Sequence, residues 1–228
     1  MTDHTVKAFS EELEALSALL SRMGGLSESM VADSVSAVAR RDTALAQDVI
    51  GRDGRVDEIE REVEKQIVRI LALRQPMARD LREVLAAYRL SLEIERIGDL
   101  AKNISKRALV LNESEPVNLT RSVERMGRLV SGRLKDVLDA YGERDTKRAI
   151  VVWGSDEDVD EYYNSLFREL LTYMMGDART INSCAHLLFI AKNMERIGDH
   201  CTNMAEIVHF LVTGEDMPTN RPKIESLS

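Results

Sequence analysis

The sequence has 228 residues, a formal net charge of −8 and an aromatic content of 4%. The acidic balance argues against a nucleic-acid-binding protein, which needs a basic face, and the few aromatic residues argue against base stacking. No stretch approaches the roughly 20 apolar residues of a membrane span, and the N-terminal residues do not form a signal peptide. The two cysteines, Cys184 and Cys201, fall about 25 Å apart on one predicted helix and cannot pair within it. We therefore expect a soluble, reduced, cytoplasmic protein.

The first half of the chain predicts three helices. Proline is scarce, and the abundance of Ala, Leu, Glu and Arg favours helix throughout. The predicted helices span about 6–39, 43–74 and 77–111. In the second of them Val49, Val56, Val63 and Ile70 recur every seven residues, which is typical of a helix packed in a bundle. Pro76 ends that helix, because proline disfavours helical geometry in the residue before it.

The second half predicts the same plan after a linker over 112–118, which combines charged residues with Pro116. The predicted helices span about 119–140, 146–175 and 178–212. Gly214 ends the last helix, and the tail 215–228 is predicted to be loose. Nothing predicts a strand. We therefore expect an all-α fold of two tandem three-helix bundles related by a pseudo-twofold, with 1–111 as the first bundle and 119–214 as the second.

A repeated motif accounts for this similarity between the halves. It occurs as Glu95-Arg96-Ile97-Gly98-Asp99 and again as Glu195-Arg196-Ile197-Gly198-Asp199, with Asn103 and Asn203 four positions further on. Three earlier pairs of segments match at an offset of 103 residues: Met23-Gly24 with Met126-Gly127, Arg41-Asp42-Thr43 with Arg144-Asp145-Thr146, and the acidic segment 53–58 with 156–161. Ordered matches at nearly constant spacing indicate a tandem duplication.

Acidic residues in the repeated segments fall at helical spacing. Residues four apart project from the same side of a helix, so Glu95 and Asp99 form a stacked carboxylate pair that Asn103 continues. The other pairs are Asp53 with Asp57, Asp156 with Asp160, and Glu195 with Asp199. Each half thus carries two acidic pairs on helices that must pack together.

Burial of unpaired carboxylates costs several kcal/mol, so converging acidic pairs need arginine partners, protonation or bound cations. The metal hypothesis predicts one multi-carboxylate site in each half. Its ligands are Asp53, Asp57, Glu95, Asp99 and Asp156, Asp160, Glu195, Asp199, with Asn103 and Asn203 as further ligands or donors. Oxygen ligands suit magnesium, calcium, manganese or iron, and zinc less well. We expect divalent or trivalent ions, namely Fe, Mn, Mg or Zn.

The alternative is that these carboxylates form solvated helix faces laced by arginine. Arg96 and Arg196 fit either view, since each can steady the Asp three residues on or face a partner protein. Gly98 and Gly198 lie mid-helix, where glycine costs about 1 kcal/mol relative to alanine, so close helix approach is expected there. His200 has Leu100 as its counterpart, and is expected at the surface or beside a ligand rather than as a ligand.

No catalytic constellation is present in the sequence. The Glu-x-x-His signature of carboxylate di-iron bundles is absent, which counts against an oxidase or ferritin-like role. No nucleophile–base set and no Gly-rich phosphate loop occurs. We therefore predict that the protein is not an enzyme.

The combined motifs resemble those of the PhoU family. They are the doubled Glu-Arg-Ile-Gly-Asp-x-x-x-Asn, the opening from His4 to Leu13, Gln75-Pro76 followed by Asp80-Leu81-Arg82, and the closing segment from Ile207 to Glu215. The resemblance covers nearly the whole chain except the tail. One departure is Gly176-Asp177-Ala178-Arg179, where the family usually has Asp-Pro-Arg, and it affects only how the last helix begins.

The resemblance implies a homodimer of paired three-helix bundles with multinuclear metal sites on the acidic motifs. It also implies a negative regulator of phosphate-starvation signalling and phosphate uptake. Such an adaptor contacts a sensor histidine kinase and the ATP-binding subunit of the phosphate ABC transporter, so it meets the membrane only through partners. Two other classes stay open: a metal-storage or redox bundle, and a metal-free scaffold in which Arg and Lys side chains fill the space between the acidic pairs.

Overall fold

The computed structural model describes residues 2–115 and 120–218. Over these ranges the chain forms seven α-helices and one short 3₁₀ helix, with no strand. The helices are α1 (Thr2–Arg40), α2 (Thr43–Arg74), α3 (Arg79–Asn112), α4 (Thr120–Glu143), α5 (Thr146–Gly154), α6 (Asp156–Gly176) and α7 (Ile181–Thr213), and the 3₁₀ helix (Ala178–Thr180) precedes α7. The predicted all-α fold class is confirmed.

The repeated Arg-Asp-Thr segment ends one helix and begins the next in both halves. Arg41 and Arg144 both have a positive φ of 54°, which terminates α1 and α4. The side chains of Asp42 and Asp145 then accept hydrogen bonds from backbone N–H groups in the first turns of α2 and α5. These N-caps satisfy donors that have no partner inside the helix. The same local chemistry therefore sets the same turn twice.

The helix predicted over 146–175 is interrupted in the structure. The backbone N–H and the hydroxyl of Ser155 both donate to the carbonyl oxygen of Val152, at 3.3 and 2.9 Å. A serine hydroxyl competes in this way with the regular helical ladder, and α6 restarts at the next residue. The equivalent residue in the first half is Arg52, and α2 passes through it without a break.

The two halves pack against each other along two pairs of helices. In the first half α1, α2 and α3 form one bundle, and in the second half α4, α5–α6 and α7 form the other. The central helices α3 and α7 lie side by side, and α1 packs on α4. One cluster of buried apolar side chains runs through both halves. The chain thus folds as one molecule with an internal seam, which is defined here as the α3–α7 and α1–α4 contacts.

Two repeated glycines mark the α1–α4 part of the seam. A Cβ atom on Gly24 would lie 2.5 Å from Cδ2 of Leu138, and a Cβ atom on Gly127 would collide with both γ-methyl groups of Val35. Gly24 corresponds to Gly127 in the duplication, and Val35 corresponds to Leu138. The same close contact is therefore made twice, once from each side of the pseudo-twofold.

The remaining expectations concern the cysteines and the ends of the segments. Cys184 and Cys201 are buried and form no disulfide, as predicted. Residues 116–118 of the predicted linker and 219–228 of the predicted tail lie outside the described residues. In the part of the tail that is described, Met217 packs against the core, and the carbonyl oxygen of Glu215 lies 3.1 Å from Nδ1 of His209.

Candidate functional site

A lysine bridges the acidic cluster of the first half. Nζ of Lys102, on α3, lies 2.6 Å from Oδ2 of Asp53 on α2 and 2.7 Å from Oδ1 of Asp99. The Asp53 side chain is 12% exposed and that of Lys102 is 22% exposed, so this ion pair is largely shielded from solvent. Burial would lower the pKa of Lys102, but its hydrogen bonds to both carboxylates raise that pKa above its usual value. Lys102 is therefore charged and pairs two predicted metal ligands.

Glu95 lies in the same cluster but outside the reach of Lys102. Its side chain is 22% exposed. Burial and the neighbouring charge of Asp99 raise the pKa of Glu95, and the charges of Asp57 and Glu60 act in the same direction. Arg96, with its side chain 64% exposed, comes only within 3.7 Å of Glu95. The negative charge of Glu95 is therefore only weakly compensated within the first cluster.

The second half lacks the bridging lysine. Thr202 occupies the position equivalent to Lys102, and its hydroxyl donates to the carbonyl oxygen of Gly198 at 3.2 Å. Glu195 accepts instead from Lys192 on its own helix, with Oε1 2.5 Å from Nζ. The other oxygen of Glu195, Oε2, is buried and has no hydrogen-bond partner among the described residues. A buried carboxylate oxygen of this kind is satisfied by a hydrogen-bond donor or by a cation.

The other predicted ligands of the second half are less enclosed. Asp160 and Asp199 are exposed. The backbone of Asp156 begins α6, but its side chain lies outside the described side chains. Among the side chains that are described, no three carboxylate, histidine or cysteine groups come together closely enough to share a metal ion.

The donor sets of the two halves differ in how they fit a cation. In the first half Lys102 takes the place between Asp53 and Asp99 that a metal ion would need. In the second half the orphaned Oε2 of Glu195 lies where a cation would satisfy it. The eight-carboxylate metal assignment stays a prediction, and the second half fits it better than the first.

Asn203 and His200 lie on the seam and contact a carboxylate of the other half. Nδ2 of Asn203 donates to Oε2 of Glu93 at 3.2 Å, and Nδ1 of His200 lies 2.7 Å from the same oxygen. Hydrogen bonds from both residues lower the pKa of Glu93 against the opposing effect of burial. Glu93 and His200 come from different halves, so this contact ties α3 to α7. Neither counterpart, Asn193 or Leu100, repeats the pair, which is why the duplicated pattern did not point to it.

The other predicted residues occupy simpler positions. Asn103 lines a cleft on the α3–α7 seam, and Arg96 and Arg196 are exposed. A Cβ atom on Gly98 would lie 3.4 Å from Val56, and one on Gly198 would lie 3.4 Å from the equivalent valine of the second half. The expected approach of two helices at these glycines is present, although the spacing is ordinary van der Waals contact.

The duplicated architecture has known counterparts. The PhoU domain matches residues 20–108 and 123–208, one match in each half. The chain belongs to the PhoU family. A phosphate-specific transport system accessory protein PhoU homolog from Caulobacter vibrioides is 61% identical over 229 aligned residues, which cover 100% of both chains. Another from Rhizobium meliloti is 47% identical over 99% of this chain and 95% of the relative.

Solved PhoU structures share the fold. The crystal structure of PhoU from Pseudomonas aeruginosa superposes with a TM-score of 0.88 at 39% identity and covers 91% of this PhoU-family chain and 100% of that one. The PhoU phosphate transport regulatory protein from Streptococcus pneumoniae gives a TM-score of 0.84 at 29% identity, with 92% and 99% coverage. None of the helices described for this chain is long and apolar enough to cross a bilayer.

Proposed function

We propose that this protein is an accessory protein of phosphate transport that restrains phosphate-starvation signalling and phosphate uptake. The observation that carries the proposal is its full-length similarity to phosphate-specific transport system accessory proteins. In this proposal the protein is a non-catalytic cytoplasmic adaptor and homodimer. It docks on the ATP-binding subunit of the phosphate ABC transporter and on a sensor histidine kinase. It binds no nucleic acid and reaches the membrane only through those partners.

An exposed apolar stripe on α3 supports the adaptor role. Leu85, Tyr88 and Leu92 are 44%, 39% and 38% exposed, and their spacing places them on one face of the helix. Met77, in the loop before α3, is 79% exposed. Solvent-facing apolar residues in register on one helix are typical of a surface that a partner covers.

The metal part of the proposal is strongest for the second half. There a cation would bind Glu195 and satisfy its orphaned oxygen, with Asp156, Asp160 and Asp199 as the other predicted ligands. Iron, manganese, magnesium and zinc are the candidate ions. In the first half a cation has to compete with Lys102 for Asp53 and Asp99. For the first half alone, the alternative hypothesis is a metal-free cluster in which Lys102 neutralises the carboxylates.

A phosphatase reporter in a deletion strain of the source bacterium tests the regulatory role. At high phosphate the deletion strain is expected to express the reporter constitutively, and the wild-type protein is expected to silence it. Reporter output that the expressed protein leaves unchanged would remove the regulatory assignment. A variant with Leu85→Ser and Leu92→Ser tests the docking stripe, and Val151→Ser, at an exposed apolar side chain of the second half, is the matched control.

A further inference from the structure

A cleft between α3 and α7 has an unusual lining for this acidic protein. Its volume is about 430 Å³, and it lies on the seam between the halves. The lining residues are Asn103, Lys106, Arg107, Val110, Phe189 and Asn193. Two are cationic, two are amides and two are apolar, and none of those described at the cleft is a carboxylate. The charged side chains that line the cleft are therefore all positive, and the other lining residues are amides or apolar.

Arg107 is held in place by an aromatic ring and a histidine, and not by an ion pair with a carboxylate of the described residues. Its guanidinium carbon lies 4.4 Å above the centre of the Phe189 ring. Its Nη1 lies 3.3 Å from Nδ1 of His186, and burial together with the Arg107 charge lowers the pKa of that histidine. A neutral His186 accepts from the guanidinium and fixes its orientation. Neither Arg107 nor Lys106 forms an ion pair with any carboxylate in the described part of the chain.

The pseudo-twofold shows which group this side of the seam lacks. On the other side, Glu93 supplies a carboxylate that accepts from Asn203 and pairs with His200. The residue equivalent to Glu93 is Asn193, and the residue equivalent to Asn203 is Asn103. On the cleft side the carboxylate has thus been replaced by an amide. Amide and cationic donors gather there without the internal anion that satisfies the related position.

Two other clefts of the described chain contain carboxylates. The cleft between α1 and α2 contains Glu12 and Glu62 among its lining residues. The cleft between α4 and α6 contains Asp158, Glu161 and Glu169. In a protein of net charge −8, a cavity lined by two unpaired cations creates a local positive potential that attracts anions.

We propose that the α3–α7 cleft binds a phosphate group, either inorganic phosphate or the phosphate of a small organic molecule. Two cations match a dianion, and the guanidinium of Arg107 can donate two parallel hydrogen bonds to phosphate oxygens. The amides of Asn103 and Asn193, on the two sides of the seam, can donate to phosphate oxygens, and their carbonyl oxygens can accept from the O–H of a protonated phosphate, which sulfate lacks at neutral pH. The cleft is larger than a single phosphate ion, and the exposed parts of Phe189 and Val110 offer an apolar wall to an organic group. This inference does not depend on the proposed regulatory role.

Titration calorimetry on the full-length protein tests the site with inorganic phosphate, ATP and sulfate at equal ionic strength. Saturable binding of phosphate or ATP is expected, with Arg107→Gln and Lys106→Gln each weakening it at least tenfold. Lys147→Gln removes the same charge from an exposed side chain outside the cleft and should leave affinity within twofold. Saturation by phosphate identifies the inorganic ion as a ligand, and saturation by ATP alone identifies an organic phosphate.

Three outcomes would overturn the proposal. They are the absence of saturable binding at millimolar ligand, equal affinity for sulfate, and equal weakening by Lys147→Gln. Amide side-chain shifts in the NMR spectrum of the unmutated protein give a second readout, which does not depend on the variants folding. The shifts of Asn103 and Asn193 should move on ligand addition, whereas unperturbed shifts at both residues would rule the cleft out.

Discussion

The ammonium of Lys102 on α3 lies 2.6 Å from the carboxylate of Asp53 on α2, where Asp53 is almost buried. This pair joins two helices of the first bundle at a point where the repeated acidic pairs predict a metal ion. Asp99 shares the same ammonium at 2.7 Å. The two halves of a duplicated protein therefore neutralise their acidic clusters differently, because the second half has Thr202 at the equivalent position.

Replacing Lys102 with methionine should destabilise the protein by about 2 kcal/mol, because it leaves Asp53 buried beside another carboxylate. The midpoint of thermal unfolding should fall by roughly 4–8 °C for a chain of this size. Manganese or magnesium should restore part of the loss by occupying the vacated position. Lys135→Met, which breaks an exposed pair with Asp139, is the control and should leave stability nearly unchanged, because water screens that pair. Equal losses in the two variants would contradict a special role for Lys102.

Glu95→Gln should stabilise the chelator-treated protein at neutral pH. The pKa of Glu95 is raised in the folded state from 4.5, so folding binds its proton more tightly. The stability linked to that proton is complete below the unfolded pKa and is lost as pH rises through the folded pKa. Glutamine does not titrate and escapes this loss. Urea unfolding from pH 4 to pH 8 should show an advantage that grows with pH, with Glu58→Gln at an exposed site as the control. A variant advantage that is largest at pH 4 would refute the assignment.

Substitution by alanine should have opposite effects on stability at Gly127 and at Gly98. Gly127→Ala forces a methyl group into the side chain of Val35, and overpacking of this kind typically costs about 1–3 kcal/mol. Gly98→Ala places its methyl group at ordinary contact distance from Val56, so the gain in helix propensity, up to about 1 kcal/mol, should dominate. Chemical denaturation measures both changes. If Gly98→Ala destabilised the protein as much as Gly127→Ala, the geometric distinction would be wrong.

Metal content should depend on the second half more than on the first. The double variant Glu195→Gln with Asp199→Asn should lose most of the manganese or iron bound after dialysis, measured by plasma mass spectrometry. Glu95→Gln with Asp99→Asn should lose less, since Lys102 already competes there. Chelator should lower the unfolding temperature of the wild type and of the first-half variant. A metal content unchanged in both double variants would end the metal proposal.

The fold could be predicted because the duplication repeats the sequence signals of each helix in both halves. The Arg-Asp-Thr segment and the seven-residue spacing of Val49, Val56 and Val63 fixed helix ends and faces from local chemistry alone. The break at Ser155 escaped prediction, since one serine in an otherwise helical pattern is weak evidence against a helix.

The site was harder to predict because its decisive residues are not repeated. Lys102 lies three positions after Asp99, a spacing that brings two helical side chains together, but its counterpart is a threonine. The features that the two halves share therefore do not include it. The Glu93–His200 contact and the α3–α7 cleft depend on how the two halves dock, and that geometry is not encoded in the periodicity of either half.

The doubled glycine contact of α1 with α4 also bears on how such a chain could arise. Each half carries both parts of the contact. The first half has Gly24 and Val35, and the second half has Gly127 and Leu138, and the bulky residue of each half packs on the glycine of the other. A single-copy ancestor would have presented both parts to another molecule of itself, so joining two genes would convert association between molecules into folding within one. In this view the seam descends from the interface of an older homodimer, and an isolated half is expected to form a homodimer.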